Sequence, residues 1–365
     1  MELMASTKGA KRVHPYNHVD PPDKQFPLSI KLRNLSSENS SLRSLPAVRV
    51  AIPTASGRLI RLELLTDSNH LAEFFSANWP AEFSQVEPDA RIVAGKKSAT
   101  YYGLHQEFDE CRWYCPDTRQ VFMFATEYYG NLKITVRGLC SELASDDDMF
   151  IHGCALALDN FGLTLSGMSG AGKTTLTAEL RRKLASNITV VNDDWGPLSL
   201  SSGLMRNTGE PYLHMKYPSV RNLAPALSIS PDTHRSENFT GGFTDPAARL
   251  LVTPAEVFGR EGLCDEVVLK LFVVVIRNES VPPSLRRLSA TDLSVLESGH
   301  YSTFYQRSEQ FLNGSLFLMD EHRLMRTRQQ HRTLLERFHC VALNNSGSPE
   351  HGADLIVSAL MPVVE

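Results

Sequence analysis

The chain has no long hydrophobic run. No apolar stretch in its 365 residues approaches the roughly 20 that a membrane-spanning helix needs, so no membrane partner is expected. The opening MELMASTKGAKRVHPYNHVD lacks the apolar stretch of a secretion signal, and the expected location is cytoplasmic. An excess of positive charge is also missing. Lys and Arg number 37 against 41 Asp and Glu, a formal net charge of -4, which gives no support for a nucleic-acid partner. Cysteine is sparse and scattered: Cys111, Cys115, Cys140, Cys154, Cys264 and Cys340. Only Cys111 and Cys115 are close, in CRWYC, and a zinc site would need a second pair of Cys or His at motif spacing. Folding could recruit His105 and His152, but reduced, buried thiols are the better expectation. No internal repeat is visible, and low complexity is confined to the N-terminal arm.

What is present divides the chain in three. Residues 1–45 are rich in Pro, Ser, Asn and Lys and are expected to form a mobile arm, with one strand near Leu28–Leu32. Residues 46–147 are expected to form an N-terminal mixed α/β domain without visible chemistry. In it VRVAIPTASGRLIRLELL is a hairpin about Ser56-Gly57, and NHLAEFFSANWPAEF is helical up to Pro80. RQVFMFATEYYGNLKITVRGLCSEL is expected to give two strands turned at Gly130-Asn131. The acidic SELASDDDMF is the candidate boundary, and Asp146, Asp147 and Asp148 are expected to be a solvated linker rather than a metal site. Residues 148–365 form the second domain. It opens with two strands about Asp159-Asn160-Phe161-Gly162. VVLKLFVVVIRN reads as a strand buried on both faces, SLRRLSATDLSVLESG and DEHRLMRTRQQHRTLLERF as helices, and FHCVALNN as a last strand.

The chemistry begins in LTLSGMSGAGKTTLTAEL. Gly167 to Thr174 satisfies G-x-x-x-x-G-K-[ST], a match expected by chance in a chain of this length on the order of one per cent of the time. Glycines let the backbone wrap so that successive N–H groups point at phosphate oxygens, and the helix that follows adds the positive end of its dipole. Gly167, Ser169, Gly170, Ala171, Gly172, Lys173, Thr174 and Thr175 are the candidate nucleotide-binding set. Lys173 supplies a full charge to the β- and γ-phosphates, and the Thr174 hydroxyl is placed for Mg²⁺. Asp193 and Asp194 follow about twenty residues after Lys173, at the end of the strand ITVVN, where a strand–loop–helix–strand unit returns beside the phosphate loop. One carboxylate can hold Mg²⁺ and the other can take a proton from an attacking hydroxyl.

Two absences narrow the class. The chain has neither the N-K-x-D motif of GTPase switches nor the L-S-G-G-Q of transport ATPases, and the RTRQQHR stretch that could imitate a nucleotide-kinase lid lies on a helical pattern. IHGCALAL, NFGLTLSGMSGAGKTTLTAEL and VVNDD together resemble the HPr kinase/phosphorylase family, which shares its catalytic fold with phosphoenolpyruvate carboxykinases. SGMSGAGKTTL and NDDWG look closer to the carboxykinase versions. The resemblance is strong over residues 150–200 and faint beyond. It implies an α/β chain with a C-terminal P-loop kinase domain of the HPr kinase/PEP carboxykinase type, using ATP and Mg²⁺. It also implies that Asp193 and Asp194 share metal binding and base catalysis, with Asp193 and Thr174 on the metal, and that His152 supports the base or the transferred phosphoryl group. By the same resemblance Lys216, in PYLHMK, and Arg249, in NFTGGFTDPAARLL, face substrate, with Arg221 and Arg277 as substitutes. Relatives form oligomers, which implies a homo-oligomer here.

The expected function is transfer of the γ-phosphoryl of ATP to an alcohol. The acceptor is either a serine-like or sugar-like metabolite or a serine in a peptide or protein. The same loop would also support phosphorolysis or pyrophosphate use. A nucleotide-gated regulator without phosphotransfer is the reading from a different class.

Overall fold

The computed structural model describes residues 45–79, 83–84, 86–97, 101, 112–115, 118–125, 127, 129–167, 170–184, 188–210, 213–216, 249–253, 263–299 and 321–364. The expected strand near Leu28–Leu32 lies outside them, as do Cys111, His105, Ser169 and Arg221. The described chain is a mixed α/β structure built on two mixed sheets and a separate two-stranded ladder. No helix among the described residues is long and apolar enough to cross a membrane.

The first sheet has the order β1 (Ala47–Pro53), β2 (Leu59–Thr66), β3 (Ala90–Gly95), β5 (Gln120–Phe124), β4 (Arg112–Cys115). β1 and β2 form the hairpin, with Gly57 in the left-handed region at φ 89°. Helix α1 (Asn69–Asn78) follows, its first turn capped by Ser68, whose hydroxyl accepts from Leu71 N–H.

β5 is the first of the two strands expected about Gly130-Asn131, but in place of the second the chain forms helix α2 (Tyr129–Leu143). Ile134, Thr135 and Val136 give the segment a strand-like composition. Yet Leu132, Val136, Leu139 and Cys140 recur at helical spacing, and all four are fully buried. Burial of that stripe against α1, β2 and β6 (Asp148–Ile151) overrides the local preference.

The acidic run is not a solvated linker. Asp148 is 1% exposed and begins β6. Its carboxylate accepts from the Ser56 N–H at 2.9 Å, the Ser56 hydroxyl at 2.6 Å and the Ser145 hydroxyl at 2.8 Å. Asp147 accepts from Ser199 and Ser201, and only Asp146 stands in solvent, paired with Arg326. The run ties three segments together because each carboxylate finds backbone or hydroxyl donors that repay its desolvation.

The second sheet holds nine strands. Its spine runs β15 (Ser284–Arg287), β16 (His339–Asn344), β14 (Glu266–Ile276), β8 (Phe161–Gly167), β7 (Gly153–Leu158), β9 (Ile188–Asn192). From the first residues of β14 a branch leads through β11 (Leu204–Arg206) and β10 (Gly196–Ser199) to β6. β8, β14 and β16 are parallel, and β14 is buried along Leu271–Val275. SLRR is thus a strand rather than the start of a helix. It forms the sheet edge on β16, and the helix α4 (Leu293–Gly299) begins later.

Helix α3 (Lys173–Leu184) lies between β8 and β9. Helices α5 (Glu321–Arg337) and α6 (Pro349–Val364) flank β16, and RTRQQHR sits on α5. Leu176 and Leu180 of α3 join Ile356 and Leu360 of α6 and Leu163 and Leu165 of β8 in one apolar cluster. β12 (Leu213–Lys216) and β13 (Arg249–Val252) form the separate ladder.

Candidate functional site

Register places the site. β7 runs antiparallel between β8 and β9, with Gly153 opposite Ser166 and Ala155 opposite both Thr164 and Asn192. The entry to β7, the exit of β8 and the exit of β9 therefore share one edge of the sheet. Those three points are His152, the glycine loop after Gly167, and Asp193-Asp194.

The loop bends through Gly170 at φ 89° and Gly172 at φ 97°, conformations that glycine takes without penalty. Apart from the glycine and its two chain neighbours, no heavy atom of the described residues lies within 4 Å of where a Cβ would stand at Gly170, whereas one at Gly172 would meet Asn345 Nδ2 at 2.7 Å. That Asn345 amide donates to the Ala171 carbonyl at 3.0 Å, so the chain after β16 holds the loop from behind. Leu176 N–H to Gly172 O closes the first turn of α3 at 2.9 Å. Lys173, 8% exposed, reaches back across the loop and donates to the Gly167 carbonyl at 2.8 Å. Burial lowers its pKa, against the charges of Asp194 and Asp193. Thr175, next in α3, is half-buried.

Thr174 Oγ1 lies 3.5 Å from Asp193 Oδ1. Two oxygen donors meet there, of the kind that a hard divalent cation takes. Burial, and after it the neighbouring charge of Asp194, raises the Asp193 carboxyl to about 6.

Asp194 is its opposite. Burial works against its ionisation, but Arg137, the His152 hydrogen bond and Lys133 together hold its pKa well below the usual carboxylate range. Its backbone stands at φ 76°, uncommon for a residue with a side chain, and its carbonyl accepts from Gly153 N–H at 3.2 Å. Oδ1 is 3.0 Å from His152 Nε2, and Oδ2 is 2.9 Å from Arg137 Nη2 and 3.6 Å from Lys133 Nζ. Burial lowers the His152 pKa, so the ring is neutral, and an ionised Asp194 assigns its one proton to Nε2. Nδ1 is left as an acceptor, buried without a protein partner among the described residues.

Lys133 and Arg137 are the residues that the sequence reading missed. They stand one turn apart on α2 and both also reach Glu210, at 2.9 and 3.2 Å. In a helix their four-residue spacing sets them beside the stripe of Leu132, Val136 and Cys140, whereas in a strand they point to the face opposite those three.

The substrate-side candidates are placed less closely. Lys216 and Arg249 sit opposite each other in the β12–β13 ladder. Arg277, at the exit of β14, is exposed and pairs with Glu279 at 3.1 Å. None of the described cysteines is in a disulfide: Cys115, Cys140, Cys154 and Cys340 are buried thiols, and Cys264 is half-buried. No group of three or more His, Cys, Asp or Glu residues able to hold a metal occurs among the described residues.

No protein-family model matches the chain, and no curated protein matches it. Among solved structures it is similar to the Hpr(Ser) kinase/phosphatase from Coxiella burnetii, at 10% identity, covering 60% of this chain and 99% of that one, with a TM-score of 0.31, a weak likeness at the level of the fold.

Proposed function

We propose that the chain is an ATP-dependent phosphotransferase that moves the γ-phosphoryl of MgATP to an alcohol, with residues 148–365 as a P-loop kinase domain of the HPr kinase/PEP carboxykinase type. One observation carries the reading. A glycine-bent phosphate loop and two carboxylates of unlike proton affinity meet at one sheet edge, with Thr174 Oγ1 and Asp193 Oδ1 3.5 Å apart.

The residues fit the nucleotide and its metal. Space at Gly170 lets phosphate oxygens approach the backbone, and Lys173 exchanges the Gly167 carbonyl for the β- and γ-phosphates. Thr174 and Asp193 would hold Mg²⁺, which when bound would neutralise charge on the phosphates. The acceptor oxygen forms the new P–O bond while the bond to the β-bridging oxygen breaks, and the hydroxyl proton passes to Asp194. A carboxylate of low proton affinity suits this step, because in a loose transition state the proton leaves late. Asp194 keeps about a third of its side chain open to solvent, room for the acceptor to reach it. His152 orients that carboxylate through Nε2–H. Lys216 and Arg249 are assigned to the acceptor side. The acceptor is a small metabolite alcohol or a serine of a peptide or protein.

The second reading is a nucleotide-gated regulator without phosphotransfer, favoured by the contact of α2 with Asp194. Transfer of γ-labelled phosphate from MgATP into cell extract, sorted by size, decides between them with Lys173→Ala as control. Lys173-dependent label in a metabolite or a protein supports the kinase and names the acceptor class. Bound ATP with no label in either supports the regulator. Asp194→Asn is expected to lower turnover by about 10²–10⁴-fold while ATP affinity stays within a few-fold. Unchanged turnover would remove Asp194 as the base.

A further inference from the structure

Helix α2 belongs by sequence to the N-terminal domain, yet its two cations end in the phosphotransfer site. Arg137 and Lys133 have side chains only 8% and 6% exposed. Two carboxylates, Asp194 and Glu210, balance them, as buried charges require. The Arg137 guanidinium also lies over Trp195 at 5.7 Å, and Trp195 stacks on Phe150 at 4.6 Å and 12°. That floor fixes where the guanidinium points.

The consequence falls on Asp194. One of its oxygens is set by His152 and the other by Arg137, with Lys133 behind. Its backbone is held in the left-handed region by the strand entry at Gly153. A carboxylate specified at both oxygens has one orientation, which is what a proton acceptor aligned on an incoming hydroxyl needs. A cluster that only fastened one domain to the other could use any paired charges at any place on the interface. This one is closed through Asp194, the residue assigned above as the base and the chain neighbour of Asp193, which meets Thr174.

We propose that Arg137, assisted by Lys133, is a positioning residue for Asp194, so that the N-terminal domain completes the phosphotransfer site through α2. The proposal rests on the phosphotransferase reading above. Glu210 completes it by holding both cations from the side away from Asp194.

The test uses the full chain with Arg137→Met, Arg137→Lys and Lys133→Met, each alone and with Asp194→Asn. Arg137→Met is expected to lower kcat by about 30–100-fold with KM for ATP within about threefold, the pattern of a lost transition-state alignment. Arg137→Lys should keep the fold but lower kcat by about tenfold, because an ammonium cannot serve Asp194 and Glu210 in the fork geometry of a guanidinium. In the Asp194→Asn background Arg137→Met should change kcat by less than about threefold, since its effect acts through that carboxylate. A kcat within threefold of the wild type for Arg137→Lys, or a full additive loss in the Asp194→Asn background, overturns the proposal. If Arg137→Met does not fold, Arg137→Lys and Lys133→Met decide it. The ¹⁵N spectrum of the His152 ring provides a readout independent of turnover. Arg137→Met or Arg137→Lys should shift the Nε2–H signal as Asp194 reorients, and an unchanged ring spectrum overturns the positioning. If the wild-type chain transfers phosphate to nothing, the functional reading fails while the ring spectrum still judges the positioning.

Discussion

Asp193 and Asp194 are neighbours in sequence and opposites in chemistry. Asp193 is raised to about 6 by burial and by the charge beside it, whereas Asp194 is held ionised by Arg137, His152 and Lys133. A carboxyl whose folded pKa exceeds its unfolded value opposes folding once ionised. The cost is full above pH 6 and fades as pH falls from 6 towards the ordinary 3.8. Asp193→Asn is therefore expected to stabilise the metal-free protein at pH 8 by about 1–3 kcal/mol, a range that allows for the partial exposure of this side chain. The gain should shrink towards zero at pH 4. Urea unfolding in a chelator at the two pH values measures both. The same change should abolish stabilisation by Mg²⁺, the mark of a residue kept for function at a cost in stability. Lys173, Thr174 and the Asp pair were legible in the sequence because spacing around a glycine-bent loop dictates where they meet. Glu210 and the α2 cations were not, because their partners lie 57 or more positions away and nothing local marks a buried ion pair.

At the scale of elements the strands were easier to read than the helices. The β7–β8 hairpin, the apolar β14 and the β1–β2 hairpin follow from alternation and turn residues, although the turn between β7 and β8 is tighter than expected, with Phe161 and Gly162 already paired in the strand. α2 was misread since β-branched residues dominate its middle, and SLRR was drawn into a helix although it pairs with β16. α6 passed unread; its apolar face is visible mainly through the cluster it closes with α3. α5 offers a clean test of helix burial. His331 is 0% exposed, and burial lowers its pKa to about 3. A histidine whose folded pKa is depressed costs nothing above its unfolded value near 6.5. Below that the unfolded chain takes up the proton first, and stability is lost at about 1.4 kcal/mol per pH unit. Between pH 6.5 and 5.0 the wild type should lose about 2 kcal/mol more than His331→Leu, as read from urea midpoints and m-values. Equal losses would mean that the ring is charged, or reaches water, in the folded protein.

For the whole molecule the sequence suggests a division near residue 147, and the interior does not respect it. Leu132, Val136 and Leu139 of α2 share one apolar cluster with Phe150, Trp195 and Leu198, and that cluster continues to Val50 and Ile60 in the first sheet. Ser56 and Asp148 bridge 92 positions with two hydrogen bonds, and Arg58 donates to the Leu143 carbonyl. The charge cluster of α2 crosses the same plane. Joined domains with separate cores would unfold in separate steps, whereas a shared core couples them. Calorimetry of the full chain should accordingly show one transition with calorimetric and van't Hoff enthalpies agreeing. A non-hydrolysable MgATP analogue at about 100 times its Kd adds about 2.7 kcal/mol to any unit that unfolds with the site. It should move that single peak by a few degrees with no shoulder left behind. Two peaks, only one of them moved by the analogue, would place the first sheet outside the cooperative unit and make α2 a tether whose cations stay in the site only while both halves are folded.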